Sequence, residues 1–348
     1  MSSFHSYPQW PSTDDFNRHV ADFSPFIVTH TEEICSPSSM LADNCQVDVS
    51  CAPNTESTEF YGDPSKAEYV RLPLSSYVDA FNAYADHRPH HLHRDGLQLY
   101  LSQCLLFSSE ESSDDRVVGH LIDSIHIPEI LGEVELYEIN LWMNIYRNTR
   151  SALHYDGNHN VLCVQRGCKE VLLVSPQHTP RLQPYTAFGI SPNHSYMSWE
   201  NLRSLDFVVI QEVRERQALF IPEGWWHQVT SSSCTMAINF WFRSPLHALL
   251  KKTTMTPYYL RAVMNALNES ILQELRHKIY VDSDAFSLGF DEMTVDSFEE
   301  CLKRTGHKGF ESEKYFLFTV RNQSRLWLPS AQKVWYAQHY FCGKLSLI

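Results

Sequence analysis

No stretch of this 348-residue chain is apolar for long enough to span a bilayer. Its start, Met1-Ser2-Ser3-Phe4-His5, lacks the basic-then-apolar layout of a secretory leader. The nine cysteines are scattered with no Cys-x-x-Cys pair, which argues against a disulfide frame or zinc finger and for reduced thiols. Positive charge is scarce, with 28 Lys and Arg against 41 Asp and Glu and a net charge of −13. Residues 1–68 hold eleven of those acids against only Arg18 and Lys66, so the remainder is close to neutral. Neither part offers the basic footprint that a phosphate backbone requires. There is no internal repeat and no Gly-rich phosphate loop. These absences lead to the expectation of an intracellular protein, cytoplasmic and/or nuclear, with no membrane or nucleic-acid partner.

What is present divides into three parts. Residues 1–68 form an acidic, loop-rich segment, in which 36–66, rich in Ser, Asp, Asn, Thr and Pro, reads as one long loop. After it, Leu74, Tyr77, Val78 and Phe81 fall at helical spacing. Residues 69–245 carry short strands separated by turns, at 97–101, 134–139, 161–165, 168–174, 207–213, 218–221, 227–230 and 235–243, the pattern of a sandwich or barrel. Residues 246–348 form a helical region. Thr256-Pro257 opens a helix whose stripe is Leu260, Val263, Met264, Leu267, Ile271, Leu272 and Leu275, and a last helix is expected between Ser330 and Cys342.

Chemistry concentrates at Ser151-Ala152-Leu153-His154-Tyr155-Asp156, answered downstream by Gly224-Trp225-Trp226-His227. His-x-Asp on a strand points an imidazole and a carboxylate the same way. A second His from a later strand completes a 2-His-1-carboxylate set, which covers one face of iron(II) and leaves the other positions open. With 18 His in the chain such a pair arises readily by chance, and His93-Arg94-Asp95 and His30-Thr31-Glu32 serve as internal controls. Only His154 has a hydroxyl three residues before it (Ser151), an amide six after (Asn160) and a lysine fifteen after (Lys169).

Arg166-Gly167 reads as a hairpin turn that sets Val164 opposite Lys169, so that one hairpin face carries His154, Asp156, Asn160, Leu162 and Lys169. An ammonium on an inward face needs an anion or a route to water. Tyr100 and Ser151 could donate hydroxyls to the same anion, and Asn160 and Asn239 are amides within apolar strands. A dicarboxylate that chelates iron at one end and meets Lys169, Tyr100 and Ser151 at the other satisfies all of these groups, and 2-oxoglutarate is such a ligand. Trp225 and Trp226 read as core, whereas Trp241 shares a face with Asn239 and could line a substrate pocket.

Four motifs resemble those of the JmjC-type, cupin-superfamily Fe(II)/2-oxoglutarate oxygenases. They are Ser151-x-x-His154-x-Asp156-x-x-x-Asn160, Gly167-x-Lys169, Ile221-Pro222-x-Gly224-Trp225-Trp226-His227-x-Val229 and Asn239-Phe240-Trp241. Within that family the chain is similar to the small JmjC-only protein hydroxylases, and Tyr100-Leu101-x-Gln103 resembles their cosubstrate strand. The resemblance covers about residues 69–245. It implies a mainly β fold, a double-stranded β-helix of cupin or jelly-roll type with C-terminal helices. It also implies His154, Asp156 and His227 as iron ligands, with Lys169, Tyr100 and Ser151 at the distal carboxylate and Asn160 and Asn239 near the chelating end. The cofactors implied are Fe(II), 2-oxoglutarate and molecular oxygen, and the partner a protein or peptide substrate, with a homodimer through the C-terminal helices as a further expectation. Hydroxylation of a protein side chain is the first reading. Histone lysine demethylation, tRNA-base hydroxylation and a catalytically silent JmjC-like binding protein are the alternatives.

Overall fold

A computed structural model describes residues 4–41, 45–53, 58–61, 68–93, 97–109, 119–146, 148–185, 191–243, 253–259, 261–262 and 265. The chain divides into two compact units, residues 1–185 with 193–262 and residues 186–192 with 263–348. Everything below belongs to the first.

That unit is built from two mixed sheets. The larger has nine strands in the order β1 (His5–Tyr7), β2 (Phe26–Val28), β13 (Gln217–Ile221), β10 (His159–Arg166), β15 (Thr235–Phe242), β7 (Leu136–Asn144), β6 (Leu97–Ser108), β3 (Gln46–Pro53) and β5 (Glu68–Pro73). The smaller runs β12 (Val209–Arg214), β11 (Cys168–Val174), β14 (Trp226–Ser231), β8 (Thr149–Ser151) and β4 (Thr58–Tyr61), with the two-residue β9 (His154–Tyr155) also paired to β14. Most neighbours are antiparallel; β1 with β2 and β4 with β8 are parallel. Among the described residues no helix is long and apolar enough to cross a membrane.

Period-two alternation decides what each strand buries. On β10, Leu162 and Val164 join Val171 and Leu173 of β11 and Leu219 and Ile221 of β13 in a cluster to which both sheets contribute. The intervening Val161 and Cys163 belong instead to a larger cluster with Phe220, Phe240 and Phe242. Two helices add to that cluster. Phe16 comes from α1 (Thr13–Asp22), capped by Ser12, whose Oγ accepts from the Asp15 N–H, and Tyr77, Val78 and Phe81 come from α2 (Leu74–Ala85). Each fully buried ring contributes roughly 1.5–3 kcal/mol of hydrophobic stabilisation. A third cluster, with Leu172, Trp226 and Tyr258, packs on the other side of the smaller sheet.

Three expectations change. Strands β10 and β11 do not pair: β10 bonds to β13 and β15, β11 to β12 and β14, and the chain passes from one sheet to the other at Gly167. Gly167 sits at φ +77°, where a Cβ would lie 2.6 Å from Thr235 Oγ1. A two-residue link signals a turn, but apolar partners elsewhere in the chain decide which strands pair. The segment 36–66 is not one loop, since Val47 and Val49 alternate inward and outward-facing Asp48 does not prevent β3 from pairing with β5 and β6. Finally, Asp156 lies just beyond the short β9, not on a continuous strand running to β10. The helix signalled by Thr256-Pro257 begins there, with 256–259 and 261–262 helical. Its whole apolar stripe, from Leu260 to Leu275, and the helix expected between Ser330 and Cys342 lie outside the described residues, as does the dimer they were expected to form.

Candidate metal and cosubstrate site

Antiparallel pairing of β9 with β14 sets His154 directly opposite His227, so both imidazoles leave the same side of the ladder. Their ring centroids are 4.4 Å apart. Asp156 closes the triangle, with Oδ1 3.9 Å from His154 Nε2 and Oδ2 3.5 Å from His227 Nε2. One donor atom from each of the three lies within 4.8 Å of the others, a cluster able to hold a metal ion.

Backbone carbonyls fix which nitrogen each ring presents. His154 Nδ1 lies 2.8 Å from the Ala152 carbonyl oxygen and His227 Nδ1 2.9 Å from that of Trp225. Because a carbonyl oxygen only accepts, each Nδ1 carries the proton and each Nε2 turns its lone pair to the common centre. Burial pulls the His227 pKa down to about 4, helped by the His154 ring and opposed by Asp156. The Gly224 N–H donates to the Asp156 carbonyl at 2.9 Å, tying together the segments that carry Asp156 and His227.

Tyr258 presses on this tie. Gly224 has φ +76°, and a Cβ there would meet the Tyr258 ring at 2.5 Å, while the Tyr258 hydroxyl donates to buried Glu223. Gly224→Ala therefore combines left-handed strain with overpacking and should cost about 2–4 kcal/mol in chemical denaturation. Gly157→Ala, whose Cβ would find Tyr258 Oη at 3.8 Å, is the matched control and should change little. Equal effects of the two would remove Tyr258 from the account.

All the residues expected at the site line one cavity of about 250 Å³: the triad, Tyr100, Ser151, Asn160, Lys169, Asn239 and Trp241. They reach it from two sheets and not from one hairpin face. Lys169 is 3 % exposed, and burial lowers its pKa to about 7. Its Nζ donates to Ser231 Oγ at 2.7 Å and lies 6.0 Å from the centroid of the Trp142 ring. Ser151 Oγ accepts from the Val229 N–H at 2.9 Å, which leaves its own proton to donate. Tyr100 is 6.2 Å from Trp142, centroid to centroid. Asn239 Nδ2 donates to Asn160 Oδ1 at 2.8 Å, joining the two amides. Trp225 and Trp226 are spent on the frame, their Nε1–H groups donating to the Phe23 carbonyl and Thr179 Oγ1.

The cavity also takes in Gln103, Trp142, Thr149 and His194, which sequence reasoning did not single out. Gln103 sits at φ +49° where the β6–β7 register shifts, a bulge that no residue type announced. Trp142 follows from the alternation of β7 once that strand is known to line the interior. His194 has no local signal, since it reaches the site by an isolated bridge to His154.

Two sheets sharing an apolar cluster, with a 2-His-1-carboxylate group able to hold a metal ion, have the features of a cupin-type sandwich. Residues 28–248 match the cupin-like domain family, and the chain belongs to it, within its JmjC branch. It is 33% identical over 251 residues to lysine-specific demethylase JMJ31 of Arabidopsis thaliana, covering 63% of this chain and 44% of that protein. Identity is 29% over 152 residues with lysine-specific demethylase JMJ30 of the same plant, covering 41% of this chain and 33% of that protein. With Jumonji C domain-containing protein 5 of Drosophila melanogaster it is 28% over 112 residues, or 30% and 27% of the two chains. The chain thus spans less than half the length of these curated relatives.

Proposed function

We propose that this protein is an Fe(II)- and 2-oxoglutarate-dependent oxygenase that hydroxylates a protein side chain. The observation that carries the reading is a single cavity with His154, Asp156 and His227 in its wall and a buried, burial-strained Lys169 beside them. The residues fit both groups. Three donors with lone pairs turned inward suit iron(II), and a buried ammonium whose one hydrogen-bond acceptor among the described residues is Ser231 suits a distal carboxylate. Iron(II) and 2-oxoglutarate, when bound, supply oxidation of a substrate C–H bond by oxygen, giving hydroxylated product, succinate and carbon dioxide.

The chain's own part is positional. His154, Asp156 and His227 would hold the metal on one face, with the Ala152 and Trp225 carbonyls keeping both imidazoles in the coordinating tautomer. Lys169 would bind the distal carboxylate through its ammonium, with Tyr100 and Ser151 adding hydroxyl donors. The linked amides Asn160 and Asn239 would lie near the chelating end. Leu162, Ile221 and Val229 line the same cavity with apolar surface and exclude water from it.

Lysine demethylation is the second reading, favoured by the names of two relatives. It uses the same oxidation on an N-methyl carbon. Mass spectrometry of a peptide screen separates the two, because hydroxylation adds one oxygen atom and demethylation removes one methyl group. A tRNA substrate would need several phosphate contacts and show affinity that falls steeply with salt. With the body near neutral and residues 1–68 acidic, we expect no tRNA binding at physiological ionic strength. Tight, salt-sensitive tRNA binding in a filter assay would overturn the protein-substrate reading.

A further inference from the structure

His194 lines the same cavity, and neither the triad nor the cosubstrate anchor uses it. It is 8 % exposed, and its ring stacks on that of His154 at 5.4 Å and 20°. Its backbone is held on both sides. Residues 193 and 195 bond to Tyr155 and Leu153, the His194 carbonyl accepts from the Tyr185 N–H at 2.8 Å, and the Tyr196 N–H donates to the Gln183 carbonyl. The ring is therefore fixed in place and does not ride on a free loop.

The polarity of that ring follows from its neighbour. Asn193 Nδ2 donates to the Tyr155 carbonyl at 2.9 Å, so Asn193 Oδ1 is turned the other way, onto His194 Nδ1 at 2.9 Å. An amide oxygen only accepts, so Nδ1 bears the proton and Nε2 a bare lone pair. Nε2 is buried and has no hydrogen-bond partner among the described residues. A buried acceptor left unmatched is costly, and native structures rarely keep one without a use. Here it belongs to a residue that walls a cavity beside three ligand-type side chains.

We propose that His194 is a specificity-determining residue of this cavity, whose Nε2 accepts a hydrogen bond from an N–H or O–H group of the substrate. It rests on the oxygenase reading for the word substrate, though the acceptor itself does not. A site built to accept rejects a ligand of the same shape that lacks the donor, because the buried lone pair is then left unmatched. The group presented beside the triad is thus one that carries a hydrogen on nitrogen or oxygen, such as an amide N–H or an ammonium that is not fully methylated. Next along the chain, Tyr196 is 68 % exposed and stacks on Tyr185 at 3.9 Å. That places an aromatic surface beside the same segment.

The test uses the full chain, labelled with ¹⁵N-histidine and loaded with Zn(II) and 2-oxoglutarate. The His194 ring nitrogens are assigned by their loss in His194→Gln. N-methylacetamide, which has an N–H, and N,N-dimethylacetamide, which has none, are the two probes. The expected result is a ring protonated at Nδ1, an Nε2 resonance that moves only with the first probe, and about a fivefold preference for that probe. His194→Phe, which keeps the aromatic stack, should abolish the preference, and His194→Gln, which returns an acceptor, should restore part of it. A proton on Nε2 in the unliganded chain, equal response to both probes, or no response overturns the proposal. So does joint loss of Zn(II) binding in both variants, which would make the ring a support for His154. Failure of the wild-type chain to bind Zn(II) would count against the oxygenase reading alone, since the probe response of Nε2 is read without the metal as well.

Discussion

Replacing His154 or Asp156 with Ala should remove 2-oxoglutarate turnover and stoichiometric Fe(II) binding, while the thermal midpoint should stay within a few degrees of wild type. The loss should exceed the roughly 10–100-fold that removing an outer-sphere partner costs, because a coordinating atom itself is deleted. The fold should survive because the three side chains line a cavity and carry little of the apolar packing. His93→Ala is the internal control. That residue also heads a His-x-Asp triplet, but its Nε2 lies 2.9 Å from the Ala80 carbonyl oxygen and its ring packs against Tyr84 and Tyr146. It should leave iron binding and turnover intact. Full activity in either triad mutant would sink the metal assignment.

The second large effect belongs to Lys169. Lys169→Ala should weaken 2-oxoglutarate binding by about 10–100-fold, the usual range for a hydrogen bond to a charged group, and Tyr100→Phe should act in the same direction less strongly. The lysine also gives binding a pH signature. In the empty cavity its pKa is lowered to about 7, whereas a bound carboxylate favours the ammonium and raises it. Affinity is therefore fully present below about pH 7 and falls as pH rises, by roughly tenfold per unit, until the pKa of the bound state is reached. For folding, the unfolded lysine holds its proton up to the ordinary value of 10.5 and the folded one only to about 7. This group's contribution to the stability of the empty protein hence improves with rising pH across that window. Isothermal titration across pH 6–9 checks the binding slope, which Lys169→Ala should flatten. An unchanged affinity in that variant would mean the dicarboxylate lies some other way round.

Strand periodicity, ligand type and spacing are local properties, and they were legible in the chain. Cys168–Val174 is a strand with the expected ends, α2 starts at Leu74, and Thr256-Pro257 opens a helix, because alternation and end signals act over a few residues. His154, Asp156, His227 and Lys169 stood out for the same reason: an unusual set of side chains at fixed offsets needs no knowledge of the fold. Pairing is not local. The Arg166-Gly167 link looks like a hairpin, yet β10 and β11 enter different sheets, since the strands that pair with their edges lie roughly 35 to 85 residues further along the chain, from Leu173↔Val209 to His159↔Phe242. Lys169 and Asn160 still meet in one cavity, but across two sheets. Segment 36–66 is polar in composition, yet Val47 and Val49 and two neighbouring strands suffice to make β3. Tertiary structure alone decided His194, Trp142 and Gln103. A bridge to His154, the inward face of β7 and a register shift place them, and each is a long-range backbone contact that no run of residues encodes.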